Sequence, residues 1–271
     1  MRFSKKNFLL GAALLFLGTA LGFGLGNFFG AAPLIGCREN DLTPVPDTEF
    51  LTPAPSSEPA VSQPPAPPEK WVCLTFDDGP SGAITEKLLD GLAARNVKAT
   101  FFLCGYRIEK FPEIAQRMAE EGHELGLHSN RHDYMQHMTK EEALDDLAEC
   151  QSILTESTGV SARLFRPPGG LYSQDLLDAS RELGLSIVFW SVDPHDWDKE
   201  KASQVLPYLL SHASAGDIIL MHDLTEHSVS AALSFIDTMY AKGYEFCTVS
   251  ELAALSGETL SPGTYYNRFP H

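Results

Sequence analysis

WVCLTFDDGP, residues 71–80, decides how the rest of the chain is read. An apolar run ends in two adjacent aspartates, Asp77 and Asp78, and a Gly-Pro turn. The run reads as a buried strand. Adjacent carboxylates repel, so a pair of them at the end of a buried strand needs a reason. On an extended strand successive side chains point in opposite directions, so the two carboxylates need not face each other.

Downstream, amphipathic stretches alternate with short apolar runs. ITEKLLDGLAARN sets Ile84, Leu88, Leu89 and Leu92 at helical spacing. ATFFLCG is a second strand, and PEIAQRMAEEG a helix opened by Pro112 and closed by Gly122. HELGLH is a third strand, and KEEALDDLAECQSILTESTG a long helix with Thr139 as its N-cap. ARLFRPP, SIVFWSV, DIILMHD and EFCTV are further strands. The stretches between them (QDLLDASRELG, ASQVLPYLLSHA and SVSAALSFIDTMYAKG) are helices. Strict alternation implies an α/β protein with parallel pairing and helices outside. Seven or eight units over residues 70–256 predict a closed or nearly closed (β/α) barrel, with an open doubly wound sheet as the alternative. No GxGxxG follows the first strand, so nothing supports a dinucleotide fold.

In such barrels the reactive groups gather at the C-terminal ends of the strands. Here Asp77 and Asp78 follow CLTF, His128 and His132 follow ELGL, Arg166 follows RLF, Asp193 follows IVFWSV, and His222 follows IILM. Strand ends far apart in sequence thus deliver ionisable residues to one rim. HSNRH, residues 128–132, offers two imidazoles at i, i+4, which on a helical turn share one face and can grip one cation. With a carboxylate from another strand end they make a two-His, one-carboxylate set that leaves metal positions open.

TFDDGP, HSNRH, RPPGG, DPHDW and LMH, in that order over roughly residues 70–256, resemble the five motifs of polysaccharide deacetylases. These are the NodB-homology domains of carbohydrate esterase family four. The resemblance implies a distorted β/α barrel, a divalent metal, zinc first with cobalt as an alternative, and hydrolysis of N- or O-acetyl groups on sugar polymers. It implies Asp78, His128 and His132 as metal ligands and Asp77 as general base. Arg166 would hold that base, His222 would be the general acid, and Asp193 would be the carboxylate that tunes it. Trp197 and Leu220 would line the acetyl pocket. Where the family often has an aromatic residue after the second proline of the arginine motif, this chain has Gly169 and Gly170. Gly169 keeps a backbone donor there, and Tyr172 could replace the missing aromatic wall. His195 and Asp196 fall at the site rim, and Tyr106 and Arg107 could contact sugar. The remaining histidines read as ordinary surface or core residues.

The flanks complete the reading. MRFSKKN is basic and residues 8–36 carry no charge, long enough to span a bilayer as a signal-anchor with residues 1–7 inside. LIGC, ending at Cys37, is an alternative lipoprotein processing site. Residues 37–69 read as a Pro-rich stalk, since 43–68 hold nine of the eighteen prolines. The net charge is −16, and residues 71–271 carry 15 basic against 30 acidic residues, which argues against nucleic-acid binding. Cys73, Cys104 and Cys247 lie in apolar strand-like runs and read as buried thiols, a Cys73–Cys247 disulfide remaining open. An anchored, extracellular monomer acting on peptidoglycan N-acetylglucosamine is the expectation, with chitin, xylan or an exopolysaccharide as alternative substrates and a non-catalytic glycan-binding domain as the alternative of another class. The aromatic tail, residues 257–271, either packs on the domain or binds glycan.

Overall fold

A computed structural model of the chain describes residues 70–269. Sixteen elements follow one another as β1 (Trp71–Gly79), α1 (Ala83–Ala93), β2 (Thr100–Leu103), α2 (Gly105–Lys110), α3 (Pro112–Glu120), β3 (Glu124–Leu127), α4 (Lys140–Thr158), β4 (Leu164–Phe165), α5 (Gln174–Glu182), β5 (Ser186–Val188), α6 (Val205–His212), β6 (Ile218–His222), α7 (Glu226–Ala241), β7 (Glu245–Phe246), α8 (Val249–Leu255) and β8 (Tyr265–Tyr266). The strands pair in the order β6-β1-β2-β3-β4-β5-β8, with β7 also on β1. Every strand pair is parallel. Two isolated bridges, Val192 to Ile219 and Asp217 to Arg268, link the chain after β5 and after β8 back to β6 and the residue before it, so the barrel is closed there by isolated bridges rather than a full ladder. The barrel is therefore irregular, with two-residue strands at β4, β7 and β8.

Parallel strands covered on both faces must be apolar throughout, not at alternate positions. Val72, Cys73, Leu74 and Phe76 of β1 are all fully buried. β1 pairs in register with β6, Phe76 opposite Met221 and Asp77 opposite His222, and with β2, Asp77 opposite Phe102. This register carries the reactive residues of two strands to the same level.

Local signals hold the helices in place. Thr139 caps α4 by accepting from the Glu142 N–H at 3.3 Å, while Glu142 accepts from the Thr139 N–H at 2.9 Å. Two terminal donors are satisfied reciprocally. Thr139→Ala is expected to lower unfolding free energy by about 1 kcal/mol, measurable as a reduced denaturation midpoint.

One feature departs from the sequence reading. The barrel does not stop at residue 256, because residues of the tail join it: Ile187 pairs with Tyr265 and Val188 with Tyr266, and Phe269 is buried. Cys73 and Cys247 are buried free thiols, in line with the sequence reading, with Sγ atoms 3.9 Å apart and no disulfide between them. Burial pushes the Cys73 thiol up and Cys150 up to about 12, which disfavours the reactive thiolate. Among the described residues no helix is long and apolar enough to cross a membrane, and the anchor expected over 8–36 and the stalk over 37–69 lie outside them.

Candidate active site

The aspartate doublet is separated by a backbone reversal. The register of β1 against β2 slips between Asp77 and Gly79, and Asp78 has a φ of 69°. Plain strand alternation therefore does not divide the two carboxylates; a bulge with a left-handed residue does. Such a conformation is costly for a non-glycine residue and gathers at functional sites. Gly79 follows because the Asp223 carboxylate packs against it: a Cβ there would meet Asp223 Oδ1 at 2.5 Å.

His128 and His132 do not ride on a helical turn. Residues 128–134 form an irregular loop, with φ of 61° at Ser129 and 62° at His132. The reversal still brings the two imidazoles together, with ring centroids 5.2 Å apart. Asp78 Oδ1 lies 3.2 Å from His128 Nε2 and 3.1 Å from His132 Nε2. The three ligand atoms lie within 4.8 Å of one another. His128 Nδ1 donates to the Arg166 carbonyl at 2.7 Å, which leaves the Nε2 lone pair for a cation. Asp78 Oδ1 is buried without a hydrogen-bond partner. Burial opposes its charge, but the two imidazoles outweigh burial and hold the Asp78 carboxyl well below the usual carboxylate range. A carboxylate oxygen and two imidazole nitrogens facing one point suit a divalent ion such as zinc or cobalt.

Asp77 turns the other way. Its Oδ1 accepts from Arg166 Nη1 at 2.7 Å, and its Oδ2 lies 3.8 Å from His128 Nε2. Arg166 is fully buried and donates four hydrogen bonds. Nη1 also donates to Thr75 Oγ1 at 2.7 Å, Nε to the Val188 carbonyl at 2.9 Å, and Nη2 to the Phe189 carbonyl at 3.0 Å. Its guanidinium lies 4.1 Å from the Phe102 ring centroid. Burial pulls its pKa down, yet the charge is matched by Asp77. Breaking such a pair leaves a buried charge uncompensated and is strongly destabilising.

His222 is held by Asp196, not by Asp193. Asp196 Oδ1 accepts from His222 Nδ1 at 2.8 Å, and Oδ2 from the His222 N–H at 2.9 Å. Burial disfavours the imidazolium, but the hydrogen bond and charge of Asp196 prevail and raise His222 to about 9. Asp193 Oδ1 instead accepts from the His195 N–H at 2.8 Å and lies 3.2 Å from His195 Nδ1. A φ of 55° at His195 turns the chain so that the second aspartate of DPHDW, not the first, enters beneath β6. His227 Nε2 lies 2.7 Å from the Asp196 carbonyl and steadies that turn.

These groups open into a cavity of about 370 Å³, lined also by Tyr134, Gly169, Trp190, Asp193, Trp197 and Leu220. Tyr172 is not among the lining residues; its ring packs on Phe189 and Tyr265. The aromatic wall comes instead from Tyr134 and Trp190. A Cβ on Gly169 would meet the Tyr134 ring at 2.7 Å, and one on Gly170 would meet Trp190 at 2.9 Å. Both glycines have positive φ, so a side chain is excluded on two grounds and the rings of other segments fill the space. Tyr134 and Trp190 are the site residues that sequence reasoning missed, and Asp196, expected only at the rim, is the partner of His222. DPHDW carried a signal for Asp196, but spacing alone could not choose between its two aspartates.

The fold and this set of side chains define a parallel (β/α)-barrel protein with a three-residue group that could hold a metal ion. Over residues 65–188 the sequence matches the family described as polysaccharide deacetylase. A peptidoglycan-N-acetylglucosamine deacetylase of Bacillus cereus is 36% identical over 191 residues, covering 69% of this chain and 70% of that protein. The chain belongs to the polysaccharide deacetylase family. Peptidoglycan-N-acetylglucosamine deacetylase PgdA of Listeria monocytogenes is likewise 36% identical, over 212 residues that make up 78% of this chain and 44% of the relative. The chain thus spans less than half the length of that relative. Among solved structures, a family 4 acetyl xylan esterase from Clostridium thermocellum in complex with a cobalt ion is similar, with a TM-score of 0.70 and 33% identity over 74% of this chain and 100% of that one.

Proposed function

We propose that this protein is a divalent-metal-dependent deacetylase that removes N-acetyl groups from peptidoglycan N-acetylglucosamine. The observation that carries the reading is the placement of three distinct groups around one cavity: the Asp78–His128–His132 set, the arginine-held Asp77, and the carboxylate-paired His222. Asp78, His128 and His132 would hold the ion, zinc in the first instance. When bound, the ion supplies Lewis acidity towards the acetyl carbonyl and towards water.

The chain's own residues supply the proton transfers. Asp77 Oδ1 is pinned by Arg166, so Oδ2 is the oxygen that takes the water's proton. His222 Nδ1 is committed to Asp196, so Nε2 gives a proton to the departing nitrogen. Amide cleavage needs that proton because the unprotonated amide nitrogen leaves poorly. The Gly169 N–H, at the cavity wall, is a further donor for the developing oxyanion. Leu220, Trp197, Tyr134 and Trp190 shape the space for the acetyl group and its sugar.

Residues 1–36 support an anchored protein whose barrel faces the wall, and the stalk supplies reach. Similarity to an acetyl xylan esterase favours one second reading, O-deacetylation of xylan at the same site. Acetate release from wall fragments and from acetylated xylan, before and after chelation, tests both. Release from wall fragments that stops on chelation and returns with Zn²⁺ or Co²⁺ is expected. Release that persists after complete metal removal sinks the mechanism, and release from xylan alone moves the substrate.

A further inference from the structure

Beyond the cavity wall lies an aromatic surface that the catalytic chemistry does not use. Tyr172, from the loop before α5, and Tyr265, from β8, lean on one another with ring centroids 5.6 Å apart. Both rest on Phe189, at 5.4 and 5.8 Å. Phe189 in turn meets Trp190 edge-on at 6.4 Å, and Trp190 lines the cavity. We propose that Tyr172 and Tyr265 form a carbohydrate-stacking platform that holds a neighbouring pyranose ring of the same glycan chain while another ring sits in the cavity. The inference rests on the deacetylase reading and names the part of the polymer that this chain grips.

Four observations carry it. The rings are exposed, 42% for Tyr172 and 52% for Tyr265, where a purely packing role would bury them. Exposed apolar surface of this kind, contiguous with a cavity, marks a binding site. The rings are also held rigidly, since each contacts two others at tilts of 39° to 59°. A preorganised aromatic loses little entropy on binding and offers a flat apolar face with a polar edge. The C–H face of a pyranose matches the first and its hydroxyls the second.

The tail is built to present Tyr265. Ile187 N donates to the Thr264 carbonyl at 2.9 Å, and Phe189 N to the Tyr266 carbonyl at 2.7 Å. Tyr266 stacks on buried Phe269 at 5.6 Å, so alternation along β8 turns the neighbouring Tyr265 outward. Charge points to the same ligand. Residues 71–271 carry 15 basic against 30 acidic residues, which disfavours a polyanionic polymer and leaves the sugar backbone as the partner.

The test uses the full-length protein with Tyr172→Ala, Tyr265→Ala and the double substitution, and with Tyr→Phe at each position as the conservative control. Acetate release is measured on long glycan strands and on the shortest fragment that is turned over. The double alanine variant is expected to lose about tenfold in kcat/KM on long strands, carried by KM, with the short fragment unaffected. The phenylalanine variants keep the stacking face and lose only the hydroxyl edge, so they are expected to fall between the wild type and the alanine variants. Equal losses on short and long substrates, or no loss on either, overturn the platform. If the wild type releases no acetate from any glycan, the deacetylase reading itself fails. Calorimetric binding of long strands to metal-stripped protein then judges the platform separately. Binding that the double variant loses supports it, and equal results for both proteins overturn it.

Discussion

Asp77→Asn is expected to lower turnover by about a thousandfold while the protein keeps its metal. The substitution preserves shape and the acceptor that Arg166 Nη1 uses at 2.7 Å, but removes the charge that draws a proton from water. It also leaves the fully buried Arg166 without its counter-ion, so a loss of stability of about 3 kcal/mol accompanies it. Thermal unfolding of the variant therefore sets the temperature for the assay. Asp78→Ala is the contrasting case. It deletes the oxygen that lies 3.1 and 3.2 Å from the two imidazoles, and metal content and activity are expected to fall together. Elemental analysis of the two variants separates the roles. Equal metal loss in both, or activity of Asp77→Asn within about tenfold of wild type, contradicts the division of labour.

Asp196→Asn is expected to cost about a hundredfold in turnover near neutral pH and to move the alkaline limb of the kcat profile to lower pH. The sign follows from the hydrogen bond. A general acid works in its protonated form, so activity is lost as pH rises through its pKa. Asp196 raises His222 to about 9 against the opposing effect of burial. Without the carboxylate, burial prevails and the imidazolium is lost at lower pH. A cation in the neighbouring site repels the imidazolium, so the limb of the loaded protein lies below that value in both proteins, and the displacement between them is the measurement. Asp193→Asn is expected to leave the limb where it is, because its carboxylate engages His195 and not His222. A limb that moves with Asp193 and ignores Asp196 would reverse the assignment.

Much of this was legible without coordinates. The alternation of apolar runs with amphipathic stretches marked nearly every strand and helix from Trp71 to Leu255, because burial on both faces of a strand and on one face of a helix leaves a local period. The cap at Thr139 and the start at Pro112 were readable because both are local: the first is a hydrogen bond within one turn, the second a ring-fixed φ at a position that needs no N–H. The tail was not readable. Tyr265 and Tyr266 form a two-residue strand whose only warrant is its pairing with β5 almost eighty residues earlier.

The sequence by itself determined the alternation of parallel strands and helices, the family resemblance and the set of reactive side chains at the strand ends, since each is written in local periodicity or in residue type. Only the tertiary structure decided how those side chains are shared out. Left-handed backbone at Asp78, Ser129, His132 and His195 turns each group in a direction that no period encodes. Those turns hold Asp77 against Arg166, choose Asp196 over Asp193 as the partner of His222, and bring the imidazoles together without a helix. The space above Gly169 and Gly170 is filled by Tyr134 and Trp190 rather than Tyr172 because contacts between distant segments, not neighbours in the chain, settle which ring reaches a wall.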